Sequence, residues 1–303
     1  MSEYGFQGMP DINTFLEFTI KDSLNLNSSF VKCHQKHPTG YETIQKYLEQ
    51  DYPKSKNLLA LIYLSQIQQA EGIKKAVEAH RLKKPYCMGT LYWQLNDCWP
   101  VTSWSGIDYY GRWKALQYYI KKLYKDLIVV SENNKDHVNI HIVSDRIVNT
   151  RYKLIIELLD FESNTLKKDS KDIIVQPESS KKYYEISVNN YDKTNTFLKT
   201  ELIENETIIF QDNHFFVPPV KMNLNPEKPK INVTENENGY IIHLYSEYLQ
   251  KSVQIYNEKM KNYHYENNCF DLLPGQRSEI QVFTSERTLE TSTSFKIITL
   301  NQL

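Results

Sequence analysis

All four tryptophans of this 303-residue chain (Trp93, Trp99, Trp104 and Trp113) fall inside the window Gly89 to Trp113. The window opens on the tail of a near-continuous apolar run, Tyr86 to Gln94, which fits a strand buried on both faces of a parallel sheet. The run ends in Trp and amide side chains and turns through Pro100 into an aromatic loop. Residues 53 to 83 precede it, with Leu58, Leu61, Ile62, Ile67, Ala70, Ile73 and Val77 at helical spacing, and Pro85 stops that helix. Residues 113 to 124 repeat the helical pattern, and residues 11 to 19 form a shorter helical candidate after Pro10. Helix, buried strand, loop, helix is the rhythm of a βα barrel.

After Tyr124 the rhythm changes. Short strand candidates at 127–130, 138–143, 152–159, 173–175, 183–188, 197–202 and 207–210, several of them alternating polar and apolar residues, are separated by turn residues, the pattern of an antiparallel sandwich. Prolines cluster from Pro218 to Pro229, and a second set of strand candidates follows at 231–233, 239–245, 253–256, 279–283 and 294–299. The expected fold class is α/β plus all-β: the last part of a (β/α)8 TIM barrel over 1–124, then immunoglobulin-like β-sandwich domains over 125–219 and 220–303. A whole barrel needs about 250 residues and eight strands. Only one clear barrel strand is present, so the chain reads as the C-terminal part of a longer protein.

Charge excludes some classes of partner. Thirty-six basic and 37 acidic side chains leave a formal charge of −1, which gives no reason to expect nucleic acid or an anionic membrane. No apolar run approaches the length that spans a bilayer, and no secretory leader pattern opens the chain. Cys33, Cys87, Cys98 and Cys269 form no CxxC pair and suggest neither a disulfide scaffold nor a zinc site. His34 and His37 stand three apart without a third ligand, which favours a loop or helix-cap role over a metal site. Asn27, Asn205 and Asn232 open Asn-X-Ser/Thr sequons, which matter only in a secreted protein.

A more specific signal lies in the order of residues. The N-terminal Ser2-Glu3-Tyr4-Gly5-Phe6-Gln7, read with Tyr92-Trp93-Gln94-Leu95-Asn96-Asp97, resembles the β-mannosidases of glycoside hydrolase family 2. The likeness continues through His34 to Gly40 and Tyr109 to Leu116, and more loosely through Ile142 to Asp145 and Phe216 to Pro219. It implies that Glu3 is the catalytic nucleophile at the end of the seventh barrel strand. It implies that Trp93, on the eighth strand, forms an apolar floor under the sugar, a role that suits the flat indole. Asn96, Asp97 and Trp99 follow on the same segment as pocket neighbours or structural residues. The resemblance implies no metal and no cofactor, a β-mannoside oligosaccharide as substrate, and an N-terminal portion of the same enzyme as the missing partner.

Retaining glycosidases need two carboxyl groups. The family's acid/base Glu follows an Asn on the fourth barrel strand. The Asn-Glu pairs of this chain, at 205–206, 236–237 and 257–258, all fall in the sandwich candidates. The 303 residues alone are therefore expected to have little or no glycosidase activity. Two other readings stay open: a β-galactosidase or β-glucuronidase of the same family, and a non-catalytic carbohydrate-binding or interaction module with Tyr240, Tyr245 and Tyr248 as an aromatic platform.

Overall fold

The computed structural model describes residues 1–20, 25, 26 and 28–303. In chain order its helices and strands are α1 (Ile12–Phe18), α2 (Ser29–Cys33), α3 (Gly40–Asp51), α4 (Leu58–Leu82), α5 (Ala115–Leu123), β1 (Leu127–Asn134), β2 (His137–Ser144), β3 (Thr150–Asp160), β4 (Thr165–Val175), β5 (Ser180–Ser187), β6 (Thr196–Glu204), β7 (Thr207–Phe215), β8 (Lys230–Asn236), β9 (Gly239–Tyr245), β10 (Gln250–Tyr256), β11 (His264–Tyr265), β12 (Phe270–Leu272), β13 (Arg277–Phe283), α6 (Leu289–Thr293) and β14 (Lys296–Ile298). The chain divides into two compact units: residues 1–3, 74–91 and 121–223, and residues 4–73, 92–120 and 224–303.

The first unit holds two antiparallel sheets, ordered β1-β2-β5 and β4-β3-β6-β7. Alternation puts Val138, Ile140 and Ile142 of β2, and Leu154, Ile156 and Leu158 of β3, into one buried cluster with Leu198, Leu202 and Phe210. Asn205 and Glu206 turn β6 into β7, both at positive φ (49° and 65°), the conformation a two-residue hairpin demands. Asn205 is exposed there. One charge sits deep in this unit. Asp212 of β7 accepts from Lys74 Nζ of α4 at 3.2 Å and Lys122 Nζ of α5 at 2.6 Å. These lysines hold its carboxyl well below the ordinary range against the opposing effect of burial.

The second unit contains the other pair of antiparallel sheets, β11-β13-β9-β8 and β12-β10-β14. Tyr240, Ile242, Leu244, Val253, Ile255, Ile280 and Val282 form its core, with Trp113 packed against it. Asn232 lies exposed on the edge strand β8, and Asn27 falls outside the described residues.

The run from Tyr86 to Gln94 departs from expectation. It begins in a turn at Tyr86, bends at Trp93 and belongs to no ladder, and Tyr86, Met88, Leu91 and Trp93 are 47% to 95% exposed rather than buried on both faces. A buried parallel strand exists only between hydrogen-bonded neighbours. Here Leu91 N donates to Met1 O at 3.0 Å and Trp93 N to Tyr4 O at 2.7 Å, and only at Gln94 do bonds run to the 104–106 turn, so no continuous ladder forms. The stretch before Tyr124 otherwise consists of five helices and isolated bridges among the described residues. Helices α2 and α3, and strands β11 and β12, had no clear signal in the sequence.

Candidate active site

Glu3 is exposed at the end of the short N-terminal stretch of the first unit. The next residues explain part of its motif. Tyr4 lends its carbonyl to the Trp93 amide. A Cβ at Gly5 would lie 2.6 Å from the Trp93 carbonyl oxygen and 2.9 Å from Trp104 Cδ1. Only glycine lets the indole of Trp104 and the backbone of Trp93 approach this segment so closely. Gln7 Nε2 donates to Gln35 Oε1 at 3.0 Å, and Gly8 lies against Gln69.

Trp93 is 47% exposed, and the peptide bond that follows it is cis. Gln94 folds back through Nε2 onto Asn96 O at 2.9 Å and Asp97 Oδ1 at 3.1 Å. Asn96 is exposed. Asp97 is buried, and its Oδ2 accepts from Ser103 Oγ at 2.8 Å and Ser105 Oγ at 2.5 Å. With three donors on it, this carboxylate pins the 103–105 loop against the strand end. Trp99 is half-buried at 5.6 Å from the His34 ring, which stacks on Phe18 at 3.7 Å. His34 ends α2 and bonds the Pro100 carbonyl through Nδ1 at 2.5 Å, and His37 meets Trp104 edge-on. Among the described residues no three His, Cys, Asp or Glu side chains are placed to hold a metal ion.

Beneath this surface lies a buried set of charges that sequence reasoning missed. Lys114 is fully buried and gives its ammonium to Gly8 O at 3.0 Å and Ser103 O at 3.4 Å. Burial lowers its pKa to about 8, while Asp97 and Asp108 pull the other way. Burial pushes Asp108 up to about 6, opposed by the Thr14 hydroxyl, which donates to it at 2.5 Å, and by Arg112. Arg112 is itself buried and donates to Thr14 Oγ1 at 2.8 Å and Lys261 O at 3.0 Å. Nothing in a linear pattern separates these charges from solvated ones; only the loop closure that desolvates them does. Of the aromatic residues suggested as a platform, Tyr240 is in the core, and Tyr245 and Tyr248 are partly buried.

Comparison with known proteins gives this geometry a context. A family model described as a mannosidase Ig/CBM-like domain matches residues 136–219, and one described as an Ig-fold domain matches residues 226–303. A β-mannosidase of Capra hircus is 33% identical over 158 residues, 48% of this chain and 18% of the relative. A β-mannosidase A of Aspergillus oryzae is 24% identical over 330 residues, 92% of this chain and 35% of the relative. The crystal structure of a β-D-mannosidase from Dictyoglomus thermophilum superimposes with a TM-score of 0.87 at 28% identity, covering 99% of this chain and 37% of that one. The chain thus spans between about a fifth and about a third of the curated relatives compared.

Proposed function

We propose, from the premise that the chain is a homologue of the β-mannosidases of glycoside hydrolase family 2, that it forms the C-terminal portion of a retaining enzyme removing terminal β-linked mannose. The observation that carries this reading is the likeness to the Dictyoglomus thermophilum β-D-mannosidase along 99% of the chain. In this reading residues 1–124 are the last part of a TIM barrel, and residues 125–219 and 220–303 are its two immunoglobulin-like domains. An N-terminal remainder supplies the other barrel strands and the acid/base carboxyl.

The chemistry then divides as follows. The Glu3 carboxylate attacks the anomeric carbon while the glycosidic C–O bond breaks, and the acid/base group gives its proton to the leaving oxygen. Water, deprotonated by that same group, releases mannose from Glu3 with net retention. Trp93 supplies the apolar floor beneath the sugar ring, with its exposed indole available for that contact. Asn96 and Trp99 flank the pocket. Asp97, its oxygens already engaged by Ser103, Ser105 and Gln94, shapes the loop that borders it.

The test is hydrolysis of an aryl β-mannoside by the complete protein. Glu3→Gln is expected to lower turnover by roughly 10^3- to 10^6-fold, as loss of a nucleophile does. Undiminished turnover in Glu3→Gln would remove the nucleophile from this chain. The 303-residue chain alone, which in this reading lacks the acid/base carboxyl that a retaining enzyme holds about 5–5.5 Å from its nucleophile, is expected to show little or no turnover of the same substrate.

A further inference from the structure

Loop 257–263 of the Ig-fold domain turns several carbonyls toward residues far away in sequence. Asn13 Nδ2 donates to Asn257 O at 2.8 Å, to Met260 O at 3.1 Å and to Tyr263 Oη at 3.1 Å. Arg112 Nη2 donates to Lys261 O at 3.0 Å. The loop is stiffened from its own side. Glu286 accepts from the amides of Lys261 at 3.0 Å and Asn262 at 2.8 Å, and Thr284 Oγ1 donates to Asn262 O at 2.7 Å.

What the loop holds leads back to Trp93. Arg112 Nη1 reaches Thr14, whose hydroxyl donates to Asp108. Asp108 in turn caps its own turn by accepting from the amides of Tyr110 and Arg112, both at 3.0 Å. The start of that turn grips the strand end: Gly106 N donates to Gln94 O at 3.0 Å and Ile107 N to Leu95 O at 2.9 Å. Gln94 is bonded directly to Trp93. All these residues belong to one compact unit.

We propose that Asn13 and Arg112 are positioning residues for Trp93, and that loop 257–263 of the C-terminal β domain is the frame they grip. The domain then helps to define the sugar site without touching the sugar. This purpose rests on the proposed role of Trp93, whereas the mechanical link does not. A lysine at 112 keeps the charge but cannot bridge Thr14 and Lys261 as the planar guanidinium fork does.

Hydrogen exchange by mass spectrometry on the 303-residue chain tests the link, in wild type, Arg112→Lys, Asn13→Ala and Glu286→Gln. The expected result is exchange of the Trp93, Gly106 and Ile107 amides that is faster by about fivefold, the factor one net hydrogen bond represents. Amides of β9 and β13 in the same unit should keep their protection. Unchanged rates at the three amides in every folded variant would overturn the proposal. So would acceleration that appears only together with β9, since that is general destabilisation. Glu286→Gln acts from the partly exposed side of the loop and keeps the test open if Arg112→Lys does not fold. In the complete protein the same variants should lower kcat/KM for an aryl β-mannoside with Glu3 intact. Absence of turnover in the wild-type complete protein would sink the mannosidase reading and leave the exchange result standing.

Discussion

At Gly5 a single hydrogen in place of a side chain decides whether two tryptophan-bearing segments can meet. The atoms that a Cβ would strike are the carbonyl oxygen of Trp93, at 2.6 Å, and the indole of Trp104, at 2.9 Å. The first is backbone and cannot swing away. Gly5→Ala is therefore expected to cost about 1–3 kcal/mol by overpacking, read as a shift in the urea midpoint, with a changed tryptophan emission maximum as the local signature. An unchanged emission spectrum would mean that the segment yields without moving Trp104. Lys114 is the opposite case, a residue whose importance the sequence hides. It stands one residue before an amphipathic helix and reads as a solvated charge, yet it is fully buried. Lys114→Met should destabilise by about 2–4 kcal/mol at pH 7, because Asp97 and two carbonyls lose their buried cation. The pH dependence has a definite sign. Folded Lys114 has a pKa of about 8, below its ordinary 10.5, so the unfolded chain holds more protons between those values. This group's contribution to stability therefore rises with pH through that window, by up to about 3 kcal/mol relative to Lys114→Met. Urea denaturation of both proteins at pH 8 and pH 10 measures it.

At the scale of elements, legibility followed local periodicity. The spacing of Leu61, Ile62, Ile67, Ala70, Ile73 and Val77 marked α4, within one residue at its C-terminal end and five at its N-terminal end, because all of these side chains are buried along one helix. Gly239 to Tyr245 marked β9 from end to end, because its buried residues alternate. The reading of 86–94 as a buried strand failed for a reason no local pattern contains: burial of a parallel strand is conferred by its neighbours. Strand β7 was legible only to Phe210, since Gln211-Asp212-Asn213-His214 has no apolar alternation, yet the strand runs to Phe215. Its buried Asp212 holds α4 and α5 to the sheet through Lys74 and Lys122. Asp212→Ala should cost about 1.5–3 kcal/mol, the range for hydrogen bonds to a charged group, since Lys74 keeps Glu78 at 2.8 Å and Lys122 is 41% exposed. The lowered pKa of Asp212 makes this contribution present above the ordinary carboxyl value of 3.8 and lost as pH falls below it. Thermal melts of wild type and Asp212→Ala should therefore converge under strongly acidic conditions. A gap that stays constant down to pH 2 would assign the loss to packing instead of charge.

Over the whole molecule the two kinds of architecture differ in how their backbones are satisfied. The sheets of β1–β7 are hydrogen-bonded over long registers, ten residue pairs between β3 and β4 and eight between β3 and β6. The segment 86–95 is bonded in short pieces: Leu91 and Trp93 donate to Met1 and Tyr4, Gln94 donates to Trp104, and the carbonyls of Gln94 and Leu95 accept from Gly106 and Ile107. In an extended segment successive amides point to opposite edges, so the Tyr92 amide faces away from the 1–4 flank, and it has no partner among the described residues. An unpaired edge beside exposed Leu91, Trp93 and Leu95 is also the surface most prone to self-association. If residues 1–124 are the end of a barrel, the strand that completes that edge lies in the N-terminal remainder. The Tyr92 amide should then exchange freely in the 303-residue chain and become protected in the complete protein, by about 10^3-fold or more if the closed strand opens only with a cooperative unit costing a few kcal/mol. The Leu91 amide, already bonded to Met1, should change less. Limited proteolysis offers a second reading of the same difference: cleavage in the short chain is expected within 86–95 before any cut in β3 or β6. Equal exchange at Tyr92 in both proteins, with the β3 amides protected in each, would mean that this edge stays open and that the barrel assignment for residues 1–124 is wrong.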